Sequence, residues 1–249
     1  MTIEERLEKV EHELRLLTQG SKAVPDEIRA RTFIVEDANG KPRAVLTVTK
    51  DGPALGLYDE NGKLRARLGV DKDGSGLGFG DDNGQIRALL YASKTRAGLC
   101  LSDDNGNDRA ALDVDMDKDG SSLYLLDKNG KTHRAVLSAY KNGVGLGLCD
   151  DNGNPRVGLI ADKDGPGLYL RDDNGKLRGG LTVNKDGARL DLFDDNGNLR
   201  GGLTMNKYGP GLILVDENGV PRAQLSVTKD GPALGLYDKN GKVLWMAPR

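Results

Sequence analysis

An Asn-Gly pair recurs along this chain at a nearly constant spacing, and that repeat excludes most ways of building a globular domain. Its glycines are Gly40, Gly62, Gly84, Gly106, Gly130, Gly153, Gly175, Gly197, Gly219 and Gly241, spaced by 22 residues except for steps of 24 and 23 around Gly130. An Asp stands three residues before each glycine, from Asp37 to Asp238, and an Arg follows in every unit but the last. Such a pattern marks one small unit copied in register. No copy can bury its apolar side alone, so the copies must stack.

The unit predicts two short strands. Asn-Gly or Asp-Gly between alternating aliphatic residues is a strong hairpin signal, because a type I′ turn needs two residues at positive φ. In "ALGLYDENGKLRARLGVDKDGS", residues 54–75, a turn centred on Asn61-Gly62 puts Leu57 opposite Ala66 and Leu55 opposite Leu68. A turn centred on Asp73-Gly74 puts Val70 opposite Leu77 and Leu68 opposite Phe79, keeping one face apolar. The expected fold is all-β: a repetitive antiparallel meander of about ten hairpin units and about twenty strands. A parallel β-solenoid is the alternative. It would stack each Arg on an Arg at about 4.8 Å, whereas the meander doubles that distance and halves the repulsion.

The meander register also predicts where the charges meet. Arg65 faces Asp82 of the next unit, and by the same spacing Arg43 faces Glu60, Arg87 faces Asp104, Arg134 faces Asp151, Arg156 faces Asp173, Arg178 faces Asp195 and Arg200 faces Glu217. Arg109 and Arg222 meet lysines instead. A row of paired arginines on a chain of net charge -2 with 4% aromatic residues is a solvated structural row, not a nucleic-acid surface.

One apolar face must be covered by another layer. Its middle position is small in most units (Ala44, Ala66, Ala88, Ala110, Ala135, Gly179, Gly201, Ala223), which lets a facing sheet approach. Residues 31–249 are all repeat, so the cover is another stretch of this sheet or another copy of the chain. Residues 1–20 form an amphipathic helix, and 21–30 a polar linker containing Pro25. Ile3, Leu7, Val10, Leu14 and Leu17 step by four and three, as the seam of a coiled coil does. Leu at a with β-branched Ile3 and Val10 at d favours three or four strands over a parallel dimer. A lone helix docked on the sheet is the other arrangement the pattern allows.

Arg6, Leu7, Val10 and Glu11 together resemble the Arg-h-x-x-h-Glu pattern of short trimeric coiled coils. With the "GLxLxDxNGxxRxxLxVxKDGP" unit, the chain as a whole resembles trimeric β-structured fibre shafts of phage tails and bacterial surface fibres. That resemblance implies an elongated homotrimeric β-prism acting as a structural spacer, with no catalytic residue and itself as partner. In the last unit, "KVLWMAPR", Trp245 takes the small-residue position and is expected to cap the apolar column.

Catalytic chemistry is hard to find. His12 and His133 are the chain's histidines, and no nucleophile-elbow, zinc-protease or phosphate-loop pattern occurs, so neither an enzyme nor a cofactor is expected. Asp115, Asp117, Asp119 and Gly120 match the start of a calcium loop, but Leu126 stands where the bidentate Glu belongs. An Asp-rich turn is therefore the expectation there, and a metal site the alternative. Over residues 95–134 the repeat departs from its pattern, with Thr95-Arg96 replacing an Asp-Gly pair and Asp113 joining the acidic run. A binding edge for a glycan, a protein or calcium is the second functional reading. Cys100 and Cys149 lie two units apart, about 19 Å across four strand spacings, beyond disulfide reach. Free thiols and the lack of a secretion signal or membrane-spanning run point to cytoplasmic synthesis and assembly.

Overall fold

The structure is a computed structural model in which residues 2–19 and 27–247 are described, without the side chains of residues 14–19. Gly20, the last residue of the expected helix, and Pro25 of the expected linker lie outside those residues. The chain divides into Met1–Phe33 and Ile34–Arg249.

The first unit holds α1 (Ile3–Gln19). It starts at a capping box: the Thr2 amide donates to Glu5 Oε2 at 2.7 Å, and the Glu5 amide donates to Thr2 Oγ1 at 3.3 Å. Two amide donors that the helix cannot satisfy are thereby paired.

The second unit is one open antiparallel sheet. Its first strands are β1 (Thr32–Glu36), β2 (Pro42–Val48), β3 (Pro53–Tyr58), β4 (Leu64–Val70), β5 (Gly74–Gly80), β6 (Ile86–Ser93), β7 (Arg96–Ser102), β8 (Asp108–Asp115), β9 (Gly120–Leu126) and β10 (His133–Tyr140). There follow β11 (Gly143–Cys149), β12 (Pro155–Asp162), β13 (Gly165–Arg171), β14 (Leu177–Asn184), β15 (Gly187–Phe193), β16 (Leu199–Asn206), β17 (Gly209–Val215), β18 (Pro221–Thr228), β19 (Gly231–Tyr237) and β20 (Val243–Ala247). Each strand pairs with the next along the chain, so the twenty-stranded meander expected from the repeat is observed and the parallel solenoid is excluded.

The turns differ from expectation in an informative way. In the Asn-Gly loop, the Gly62 amide donates to Asp59 O at 3.0 Å and the Asp59 amide to Lys63 O at 2.9 Å. Gly62 has a φ of 77°, while Asn61 does not enter the left-handed region. This is a type I turn followed by a glycine bulge, not a type I′ turn. The Asp supplies the reason. Asp59 Oδ1 accepts the amides of Asn61 and Lys63, each at 2.9 Å, which a shorter turn could not present together. The bulge falls after Leu57, so the expected pairs Leu57–Ala66 and Leu55–Leu68 are kept.

The Asp-Gly hairpins close one residue earlier than the glycine suggests. Asp71 donates to Gly74 O at 2.8 Å around a Lys72-Asp73 loop. Leu68 therefore meets Leu77 and Ala66 meets Phe79, two residues from the expected register. An even shift leaves the apolar face intact. Gly74 is glycine because a Cβ there would collide with the carbonyl oxygen of Ala92 on the neighbouring strand.

The arginine row is paired, but not with the expected acids. Arg65 Nη1 turns back to Asp59 Oδ2 of its own unit at 3.4 Å, and its Nε reaches Gly80 O at 3.1 Å. Arg43, Arg87, Arg109, Arg156, Arg178, Arg200 and Arg222 likewise take the Asp of their own units. With Oδ1 occupied by backbone amides, Oδ2 is the nearer fixed acceptor, whereas acids such as Asp82 are exposed on the loop. Arg134 is the exception. A bulge between His133 and Ala135 carries it to the expected partner, Asp151, while Asp127 takes the Thr132 amide.

No hydrophobic residue among those described is fully buried, and the chain exposes 18137 Å². A compact protein of 26.7 kDa exposes about 10,700 Å². The sheet has two surfaces and no interior.

The capping carboxyls make stability depend on acid. In Asp37, Asp59, Asp127, Asp150, Asp194 and Asp216 the backbone amide four residues on is the main cause of a pKa below the usual 3.8. In Asp81, Asp103 and Asp172 partial burial is the largest single influence and acts upward, but the amide bonds and arginine outweigh it. A carboxyl whose pKa falls on folding stabilises the fold above its unfolded pKa, and that contribution is lost as pH falls through the folded value. The melting temperature should hold from about pH 7 to about pH 5 and decline below about pH 4. Thermal melts across this range check it; a flat profile to pH 2 would show that the caps carry no stability.

Candidate functional site

The largest chemically uniform feature is a column of leucines. From β2 to β19, Leu46, Leu55, Leu68, Leu77, Leu90, Leu99, Leu112, Leu123, Leu137, Leu146, Leu159, Leu168, Leu181, Leu190, Leu203, Leu212, Leu225 and Leu234 face one another in turn. The irregular spacings do not break it. The extra residues near Gly130 go into the loop between β8 and β9 and the bulge of β10, and Leu112, Leu123 and Leu137 remain aligned. Beside this column runs a row alternating small and large, Ala44, Leu57, Ala66, Phe79 and onward, which ends with Trp245 facing Leu236.

Among the described residues of the sheet, nothing covers this face. Leu90 is 54% exposed, Leu137 52% and Trp245 42%. On α1, Ile3, Leu7 and Val10 of the expected seam are exposed, as are Arg6 and Glu11. The side chains of Leu14 and Leu17 lie outside those described.

The opposite face is mixed in character and holds the polar groups that sequence reasoning singled out. On β8, Asp113 is 7% exposed. Its carboxylate accepts from Tyr91 Oη and, at 2.6 Å, from Arg96 Nη2. Burial, followed by the Asp113 contact, pushes the Tyr91 phenol up to about 12. Cys100 stands nearby as a free thiol, with its pKa raised chiefly by burial and further by Asp108 and Asp113. Thiolate is the nucleophilic form, so this environment quietens Cys100. The His133 ring stacks on Tyr124 with centroids 4.8 Å apart. Cys149 is also free.

Thr95-Arg96 and the acidic loop are neighbours: the Met116 amide donates to Thr95 O at 2.9 Å. The carboxylates do not converge. Asp113 belongs to the arginine–tyrosine network, and Asp115 accepts the amides of Asp117 and Lys118 and pairs with Lys118 at 3.6 Å. Asp119 takes a φ of 50° to close the loop. Among the described residues no three His, Cys, Asp or Glu side chains gather as a metal site.

No family model matches this chain, and no curated protein matches it significantly. Among solved structures, a protein assigned as a 6-phosphogluconolactonase from Bacteroides fragilis is similar at 12% identity, covering 90% of this chain and 85% of its own, with a TM-score of 0.18. A periplasmic gluconolactonase of Pseudomonas aeruginosa shows 13% identity over 92% and 88%, with a TM-score of 0.18. A functionally unknown protein from Desulfotomaculum acetoxidans shows 11% identity over 91% and 74%, with a TM-score of 0.14.

The expectation of a non-enzymatic fibre or spacer is corrected by these findings: the two structures above with a stated activity are described as lactonases, and neither as a fibre protein. Along the edge of the second reading, residues 95–134, Tyr91 and Arg96 bond Asp113, and these groups border a hollow with Cys100, Tyr124 and His133. At such TM-scores the likeness carries no lactonase chemistry over to this chain.

The Asp113 network makes a measurable claim. Replacing Asp113 with Asn should bring the Tyr91 pKa down from about 12 but not fully to 10.0, because burial is the larger cause. Ultraviolet titration differenced against Tyr91→Phe isolates that phenol, and an unchanged value would mean Asp113 does not act on it.

Proposed function

We propose that the chain works by self-assembly, its partner being further copies of itself joined through the leucine face. The arrangement we favour is a homotrimer in which three sheets form a β-prism and three α1 helices form a coiled coil. Assembly would hold the mixed faces outward in a fixed array.

The unbroken leucine column carries the proposal. A face repeated at the strand spacing of about 4.8 Å is best matched by a surface with the same repeat, and another copy supplies it. The chain's exposure exceeds that of a compact protein by about 7,000 Å², more than obligate interfaces of roughly 2,000–5,000 Å² require. A net charge of -2 offers little repulsion between copies.

Light scattering should report three times the 26.7 kDa chain mass. Leu159→Lys with Leu168→Lys, placing charges at the middle of the column, should lower that mass or precipitate the protein, while Arg67→Ala on the mixed face should not. Removing residues 2–19 should weaken assembly without abolishing it. A monodisperse, soluble monomer at micromolar concentration would overturn the proposal.

Trp245 would close the small-residue row at the β20 end. Trp245→Ala should therefore lower the melting temperature of the assembly, and an unchanged melt would remove its capping role.

A further inference from the structure

The repeat is disturbed a second time on the mixed face, away from the polar network. Gly147 on β11 and Gly158 on β12 are a directly facing pair. Where a Cβ would stand on either, nothing lies within 4 Å. Other mixed-face glycines are roofed by side chains: Gly56 by Tyr58, Gly78 by Ile86, Gly167 by Tyr169 and Gly235 by Tyr237. Bare backbone at Gly147 and Gly158 is instead the floor of a trough of about 630 Å³, bounded by Val136 and Ser138 on one side and Ile160, Tyr169 and Arg171 on the other.

Arg171 is the second departure, and it falls at the same place. The position just before the loop Asp is Glu36, Tyr58, Gly80, Ser102, Leu126, Cys149, Phe193, Val215 or Tyr237 in the other units, and Arg171 is the one basic residue there. The repeat's arginines each hold a carboxylate. Arg171 has none within ion-pair distance among the described residues; its Nη1 donates to Gly175 O at 3.0 Å, which leaves the rest of the guanidinium facing solvent. Two breaks of a repeat at one spot, one opening space and the other supplying a charge, mark a site more than drift does.

We propose that this trough binds a small molecule built from one six-membered ring and one carboxylate. The ring lies on the backbone of Gly147 and Gly158, where missing side chains permit close approach, with Tyr169 and Val136 at its edges. The carboxylate is held by the free side of the Arg171 guanidinium, whose planar fork suits it. A monoanion fits better than a phosphate dianion, because exposed Asp173 also borders the trough. The volume is within the usual range for small-ligand sites, roughly 300–1,000 Å³. Both an aromatic acid and a sugar acid present this chemistry.

Calorimetric titration of the full chain with benzoate and with glucuronate tests the site, with benzyl alcohol and methyl glucoside as neutral controls. Binding of benzoate, of glucuronate or of both supports the proposal and identifies the source. The bound acid should outbind its neutral control by about tenfold or more, and Arg171→Gln should remove that difference. Gly147→Val should abolish binding while leaving the melting temperature level or higher, since its side chain enters open space and a β-branched residue suits a strand. If neither acid binds at millimolar concentration, or if Gly147→Val binds as the parent does, the proposal is wrong. The trough lies within one chain on the face opposite the leucines, so the mass measured on the same sample separates its failure from that of self-assembly.

Discussion

One carboxylate per unit places every strand of the sheet. At the head of each Asn-Gly loop, as at Asp59, one oxygen gathers two backbone amides, and in eight of the ten units the other takes the unit's own arginine. Gathering those amides sets the loop length, which sets the glycine bulge, which sets the pairing of the two strands. Pairing then decides which side chains share a face. A one-residue slip at any loop would move the following leucine to the mixed side, so the exposed turns govern the arrangement of the apolar surface. The usual order, in which a buried core dictates the register, is inverted here because no core exists.

That inversion leaves a large driving force unspent. Completing the burial of a half-exposed leucine contributes roughly 1 kcal/mol, so eighteen aligned leucines offer on the order of 15–20 kcal/mol per chain. The cost of association, roughly 4–15 kcal/mol, is smaller. Imperfect packing could halve the gain and still leave the balance near or beyond break-even. The alternating small and large row beside the column helps, because a flat wall of leucine interdigitates poorly, whereas Ala66 beside Phe79 offers hollows next to knobs.

Much of this was legible in the letters, and the misses have physical causes. The meander, its strand number, its oily face and the pairs around Leu55 and Leu57 follow from period and alternation. The turn type was mistaken because Asn-Gly advertises two positive φ angles, while an Asp three residues earlier can recruit a longer loop that needs only one. That signal was present in the constant Asp spacing. The Asp-Gly register was misjudged for another reason: Gly74 reads as a turn residue, yet it is glycine for the sake of the neighbouring strand's Ala92 carbonyl. Nor could spacing alone place Arg65, whose long side chain reaches either acid; geometry chose the one already fixed. The glycine trough was legible only in part: Gly56 has Tyr58 two residues on where Gly147 has Cys149, but that such a tyrosine folds back over its glycine is set by its rotamer, which spacing does not show.

The two faces therefore answer to different physical constraints. An insertion can survive beside Gly130 because the loop and the bulge absorb it before it reaches Leu123 or Leu137. On the mixed face no such continuity is demanded: Arg67, Cys100, Tyr124, Asp191 and Gln224 follow one another in a single row. Freedom to vary is what allows one stretch to close around Asp113 as a self-satisfied network and another to open over Gly147 and Gly158. A face that must match itself keeps its repeat, and individuality in such a chain can accumulate only on the side that the repeat does not need.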